Sequence, residues 1–292
     1  MSNPVAAEYW KSIGDDWSRS VTAADRGDAD ISVSAREKLS MLPVERIVVT
    51  GMRGAGKSVI YKALVGLAGE KYRKTQKSKR VEGRKIKITR NGGTFRAKVF
   101  VLPGQRDVKP RTRTVERLFK HGNYPLGVIH VVNWGFDEVW EEDARPQILA
   151  SAGEPGRSAD LRGVCKYLRT QELEDFMRTS HLLRTAWTGH TDEIWFVIAV
   201  TKCDLYWRQI EDVREYYIPG DDPASDSYFA KELRLLIEQL EFPKFAVLPV
   251  SCVSDPFEFV GRIRADSGEF SENWRAALIN RLLSRLGDFS VV

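Results

Sequence analysis

The residues best placed to do chemistry are Gly51 to Ser58, reading G-M-R-G-A-G-K-S. A short β-branched run, 46–50, precedes them, and an apolar-periodic run that reads as a helix follows from Val59. Strand, glycine loop, Lys-Ser and helix is an arrangement that binds phosphate. Gly51, Gly54 and Gly56 open backbone angles closed to residues with a Cβ, so successive N–H groups can turn toward an anion. The helix adds its unpaired first-turn N–H groups and the positive end of its dipole. Lys57 is expected to reach the β- and γ-phosphates and the Ser58 hydroxyl to ligate Mg²⁺, with Arg53, Ala55 and Val59 completing the cradle.

Three further sites follow strands. Thr201-Lys202-Cys203-Asp204 follows the run ending at Val200. A carboxylate at Asp204 can accept from the N1–H and 2-amino group of guanine, a donor pair that adenine lacks. The stem of Lys202 can lie along the base. Ser251-Cys252-Val253 follows the next strand and offers a backbone N–H to the guanine O6. Pro103-Gly104-Gln105 ends an earlier strand, where Gly104 can turn its N–H to a γ-phosphate and Gln105 can orient water. All of these stand at the carboxyl ends of strands, where open α/β sheets bind ligands.

Around these sites the chain alternates apolar strands (84–89, 94–102, 126–133, 194–200, 245–250) with helical patterns (161–187, 227–240, 272–286). That order predicts an α/β fold with a mainly parallel sheet, helices on both faces and one antiparallel edge strand. Asn91-Gly92-Gly93 reads as the turn joining the antiparallel pair. Residues 1–44 form an N-terminal extension with an amphipathic helix, expected to pack on the main domain, 45–292. Segments near 136–160 and 206–226 read as insertions. Trp10, Trp17, Trp187 and Trp195 fall in apolar patterns and read as core, and the four histidines as structural.

Taken in order, these four motifs resemble the Ras-like GTPases of the translation-factor superclass, over about residues 45–290. The resemblance implies a P-loop G domain that binds GTP or GDP with Mg²⁺, hydrolyses GTP and switches between states. It also implies a switch threonine that ligates Mg²⁺, for which Thr75 is the candidate. Two departures matter. The family's Asp-x-x-Gly-Gln motif has Val101 at its Asp position, and the Val-Leu-Pro-Gly-Gln that results is similar to bacterial MglA-like GTPases. Arg53 stands where the family usually has glycine, either slowing hydrolysis or acting as an internal arginine finger. The alternative reading is a pseudo-GTPase, a binding module that keeps nucleotide as structural cement.

The net charge of +5 hides an asymmetry. Residues 71–121 hold 18 Lys and Arg against Glu82, Asp107 and Glu116, a local +15 that leaves −10 elsewhere. Such a field attracts anions over a Debye length of ~8 Å. An acidic protein effector or regulator is the expected partner, with nucleic acid second because few aromatics interleave with the charge. Three scattered cysteines form no disulfide framework, which fits a reducing cytoplasm. No run approaches a transmembrane segment, and the first residues lack the basic start and apolar centre of a signal peptide.

Overall fold

A computed structural model describes residues 4–26, 45–64, 82–90, 93–104, 115, 118–119, 124–139, 144–153, 160–187, 194–241, 243–252, 257–259, 263–265 and 270–290. The expected positions Thr75, Gln105 and Val253 lie outside them, as do Asn91 and Gly92 of the turn.

Five strands run parallel: β1 (Glu45–Gly51), β3 (Gly93–Val101), β4 (Gly127–Val132), β5 (Trp195–Val200) and β6 (Lys244–Pro249), in the order β3-β1-β4-β5-β6. Strand β2 (Glu82–Arg90) pairs antiparallel with the outer edge of β3. A separate small ladder joins β7 (Phe257–Phe259) to β8 (Ile263–Ala265). The helices described are α1 (Pro4–Arg26), α2 (Lys57–Leu64), α3 (Ala144–Ala152), α4 (Leu161–Trp187), α5 (Ile210–Tyr217), α6 (Tyr228–Gln239) and α7 (Glu272–Ser290). None of them is long and apolar enough to cross a membrane.

The continuous apolar strands follow from burial on both faces. In β5, Trp195, Val197 and Ala199 enter one apolar cluster, shared with Ile60 and Leu64 of α2 and Leu282 and Leu286 of α7. Phe196, Ile198 and Val200 enter the other, shared with Phe176 of α4, Phe229 of α6 and Trp10 of α1. The central strands are thereby clamped, and their carboxyl ends carry the loops of interest.

Helix α1 packs against β6 and α7, in line with the expectation that the extension covers the main domain. Trp10 and Trp17 are buried, and Tyr9 donates to the Pro243 carbonyl at 2.8 Å. The buried Asp16 carboxylate is held by Arg281 and by Arg285, whose Nε lies 2.8 Å from Oδ2. Removing a buried carboxylate from two partly exposed arginines strands charge at a helix interface. Asp16→Ala is expected to lower stability by about 2 kcal/mol, after allowance for solvent around the guanidiniums, read as an earlier guanidinium chloride midpoint.

Part of the stretch that reads as an insertion is core. Phe136 and Asp137 are buried, and so are Val213 and Tyr217 in the later one. Tyr217 packs edge-on against Phe229 of α6 and its hydroxyl reaches Glu172 of α4, while Phe136 packs on Tyr206 in the segment after β5, contacts that composition does not register.

Candidate functional site

β1 runs between β3 and β4, so Gly51 leaves the middle of the sheet. Its φ is +127°, and a Cβ there would lie 2.3 Å from the Val131 carbonyl oxygen. Gly54, at φ +84°, has the backbone N and O of Glu138 at 2.5 Å from the same imagined atom. Any side chain at either position collides with backbone, which explains the two glycines without reference to a ligand. The loop then turns into α2, with Val59 and Ile60 N–H both reaching the Gly56 carbonyl. Lys57 and Ser58 open the first turn, where N–H groups lie free of the helix's own ladder.

The Lys57 ammonium is folded over the loop and donates to the carbonyls of Gly51 (2.9 Å) and Met52 (2.5 Å). Gly104 lies against the same loop: a Cβ on it would come within 2.4 Å of the Arg53 nitrogen and 2.7 Å of the Lys57 ammonium. The strand end carrying Pro103-Gly104 and the glycine loop are therefore in contact. Val101 is buried in the apolar cluster beneath α2 and offers no ligating atom to a cation.

Thr201 joins the other end of the site to this one. Its hydroxyl sits between the carbonyls of Ala55 (2.6 Å) and Val132 (3.1 Å), tying β5 to the loop across 146 residues. Lys202 follows in the left-handed region at φ 59°, ψ 26°. Its ammonium donates to the Phe136 carbonyl at 2.5 Å, and burial lowers its pKa to about 8 against the pull of Asp137, Glu138 and Asp204. The ammonium end of Lys202 is thus anchored on the loop after β4.

Asp204 lies in the first turn of the 3₁₀ helix Cys203–Gln209. Ser251, just beyond β6, donates to its Oδ1 at 2.8 Å. Burial raises the Asp204 pKa, while the Ser251 hydroxyl and Lys202 pull it back. Cys252 is partly buried beside Ser251. Lys57, Thr201, Asp204 and Ser251 therefore gather at the carboxyl end of β1, β5 and β6, as their spacing between strands and helices predicts. Gly51, Gly54, Ala55, Gly56 and Gly104 complete the glycine-loop end.

A buried polar group behind the site has no counterpart in the sequence reading. The Asn133 amide donates to Asp137 Oδ1 at 3.2 Å, and its backbone N–H to Glu172 Oε2 at 2.7 Å. Tyr217 donates to Glu172 Oε1 and accepts from the Trp134 N–H at 2.7 Å. Burial raises Asp137 to about 6, against the pull of Lys202, Asn133 and Lys57. Glu172 is pushed to about 8 by burial and by Asp137. The one signal available was position, since Asn133 to Asp137 directly follow a buried strand at the same end of the sheet. Among the described residues no cluster of His, Cys, Asp and Glu could hold a metal. His130 shares a 2.9 Å hydrogen bond with Thr50, a packing role.

No family model matches the chain, and no curated protein matches it.

Proposed function

We propose that the chain binds a guanine nucleotide and hydrolyses GTP slowly, as a Ras-like switch. The observation that supports this most is the Thr201 hydroxyl on the Ala55 carbonyl, which ties the strand leading to Asp204 onto the glycine loop. A phosphate-facing end and a base-facing carboxylate then share one edge of the sheet. In this reading Lys57 leaves the Gly51 and Met52 carbonyls for the β- and γ-phosphates, while the loop N–H groups take the remaining oxygens. Asp204, held by Ser251, accepts from the guanine N1–H and 2-amino group.

Mg²⁺ fits in part. Ser58, second residue of α2, would supply its hydroxyl and Thr75 would join it, but Val101 brings no carboxylate. A bound cation would offset phosphate charge; Gln105 would orient water. The same Val101, together with Arg53 beside Gly104, supports the second reading, a module that retains nucleotide without turning it over.

Calorimetry with GTP, GDP and ATP, with and without Mg²⁺, tests the first claim. GTP and GDP are expected to bind at least ~1,000-fold more tightly than ATP. Equal or tighter ATP binding would sink the assignment. Single-turnover hydrolysis by wild type and Arg53→Ala then separates switch from module, and a faster variant excludes an internal arginine finger.

A further inference from the structure

Two buried oxygens in the loop after β4 lack a donor. Asp137 is 2% exposed and Asn133 is fully buried. One contact joins them, from the Asn133 amide to Asp137 Oδ1 at 3.2 Å. The other two oxygens, Asp137 Oδ2 and Asn133 Oδ1, have no hydrogen-bond partner among the described residues. Each such acceptor in a dry interior carries the full cost of its desolvation. The loop itself is firmly built. Its turn passes through the left-handed region at Trp134 (φ 56°) and Gly135 (φ 83°), a strained conformation for a tryptophan. Trp134 is kept there by its N–H on the Tyr217 hydroxyl and by the Arg169 guanidinium, 4.8 Å from its ring.

That turn lays the loop on both halves of the candidate site. The Glu138 backbone lies against Gly54, and the Phe136 carbonyl takes the Lys202 ammonium at 2.5 Å. Asp137, between them in the chain, stands in the field of Lys202 after β5 and Lys57 of α2. Asp175 and Glu172 of α4 oppose its charge, and Glu138 acts on Lys202 from the same loop. Cys165 and Tyr206 also feel Asp137 but stay neutral, since burial pushes the thiol up to about 12 and the phenol well above its usual range. Burial likewise pushes the Asp137 carboxyl up to about 6, while Lys202, the Asn133 amide and Lys57 pull it down. One proton on Oδ2 resolves both orphans. The acid then donates to Asn133 Oδ1, while Asp137 Oδ1 still accepts from the Asn133 amide.

We propose that Asp137 is the resident counter-charge of Lys57 and Lys202, and that phosphate bound at the glycine loop displaces it by driving a proton onto Oδ2. This rests on the nucleotide reading and adds a regulating residue to that site. Lys57 is drawn toward the phosphates, and their negative charge arrives nearby. Both changes favour the protonated acid. One proton comes from solvent, binds Oδ2 and is donated to Asn133 Oδ1; no other bond forms or breaks. Binding that takes up a proton weakens as pH rises above about 6. The incoming phosphate therefore competes with an internal carboxylate for the same two cations.

The test is calorimetry of GDP binding to the full chain at pH 6.5, in two buffers of different ionisation enthalpy, which counts the protons taken up. Asp137→Asn imitates the protonated form: its carbonyl accepts from the Asn133 amide and its own amide donates to Asn133 Oδ1. Protons exchanged by the β-phosphate and by Asp204 are common to both proteins and drop out of the difference. Lys202, lowered to about 8, keeps its proton at this pH. Wild type is expected to take up about half a proton more than the variant. The variant is expected to bind GDP more tightly, by a margin that grows about 10-fold between pH 5.5 and 7.5. Glu172→Gln should keep the uptake, because Glu172, pushed to about 8, holds its proton at pH 6.5 with or without nucleotide. On wild type alone, an infrared difference spectrum should show a protonated carboxyl appearing with GDP. Equal proton counts, a variant that binds more weakly, loss of the uptake in Glu172→Gln, or no new carboxyl band would each overturn the proposal and leave the nucleotide reading standing. No GDP binding at all would sink both.

Discussion

Asp204→Asn is expected to weaken GDP binding by about 100-fold and to raise binding of xanthosine diphosphate. The Asp204 carboxylate is 5% exposed and its Oδ1 already accepts from Ser251. An amide there turns one acceptor into a donor, facing the 2-amino group of guanine with no match. A buried unmatched donor pair costs far more than one hydrogen bond contributes. Xanthine carries a carbonyl at that position and accepts from the new amide. Calorimetry with GDP, xanthosine diphosphate and ADP checks both directions, and an unchanged GDP affinity would remove Asp204 from the base site. The same carboxylate sets a pH dependence. Burial raises its pKa, so falling pH protonates it sooner than an exposed aspartate, and guanine affinity should fall with it.

Glu172 controls the second large effect, on stability. In the unfolded chain it titrates near 4.5, and in the fold near 8. Below the lower value both states hold the proton and no linkage arises. Between the two the folded state keeps a proton that the unfolded state has lost, so stability falls as pH rises and levels off above about 8. Glu172 and Asp137 share this loss, because the charge on Asp137 is itself one cause of the rise at Glu172. Asp137, raised to about 6, adds loss in the same direction over the lower part of the window. Glu172→Gln imitates the protonated form: its carbonyl can accept the Asn133 N–H and its amide can donate to Tyr217. Urea denaturation from pH 5 to 8.5 should show a declining wild type and a flatter variant, more stable at the alkaline end. Parallel curves would mean that Glu172 is ionised throughout.

What the sequence made legible was periodic or local. Near-continuous apolar runs mark strands buried on both faces, and the 161–187 pattern coincides with α4. The meeting of Asp204 with Ser251 followed from strand–helix alternation, which delivers successive strand ends to one edge. The Asn133–Asp137–Glu172–Tyr217 group was invisible because it is tertiary: Trp134 and Tyr217 are 83 residues apart. Its glycine and acidic neighbours made the segment look like a surface insertion. The partner of the Lys202 ammonium was illegible for a related reason, since nothing local points to the Phe136 carbonyl that receives it. The basic stretch was counted by composition alone, whereas the pairing of Lys98 with Arg46 sets part of it at the end of β1 away from Gly51.

The clasp between α1 and α7 also orders events during synthesis. Asp16 and the indoles of Trp10 and Trp17 leave the ribosome well before α7, and Arg281 and Arg285 are made more than 260 residues after Asp16. Until then α1 lacks the two cations that hold its buried carboxylate. A nascent chain of this protein therefore carries an apolar, acid-bearing amphipathic segment throughout translation, a natural handle for chaperones, and can lock only once α7 has emerged.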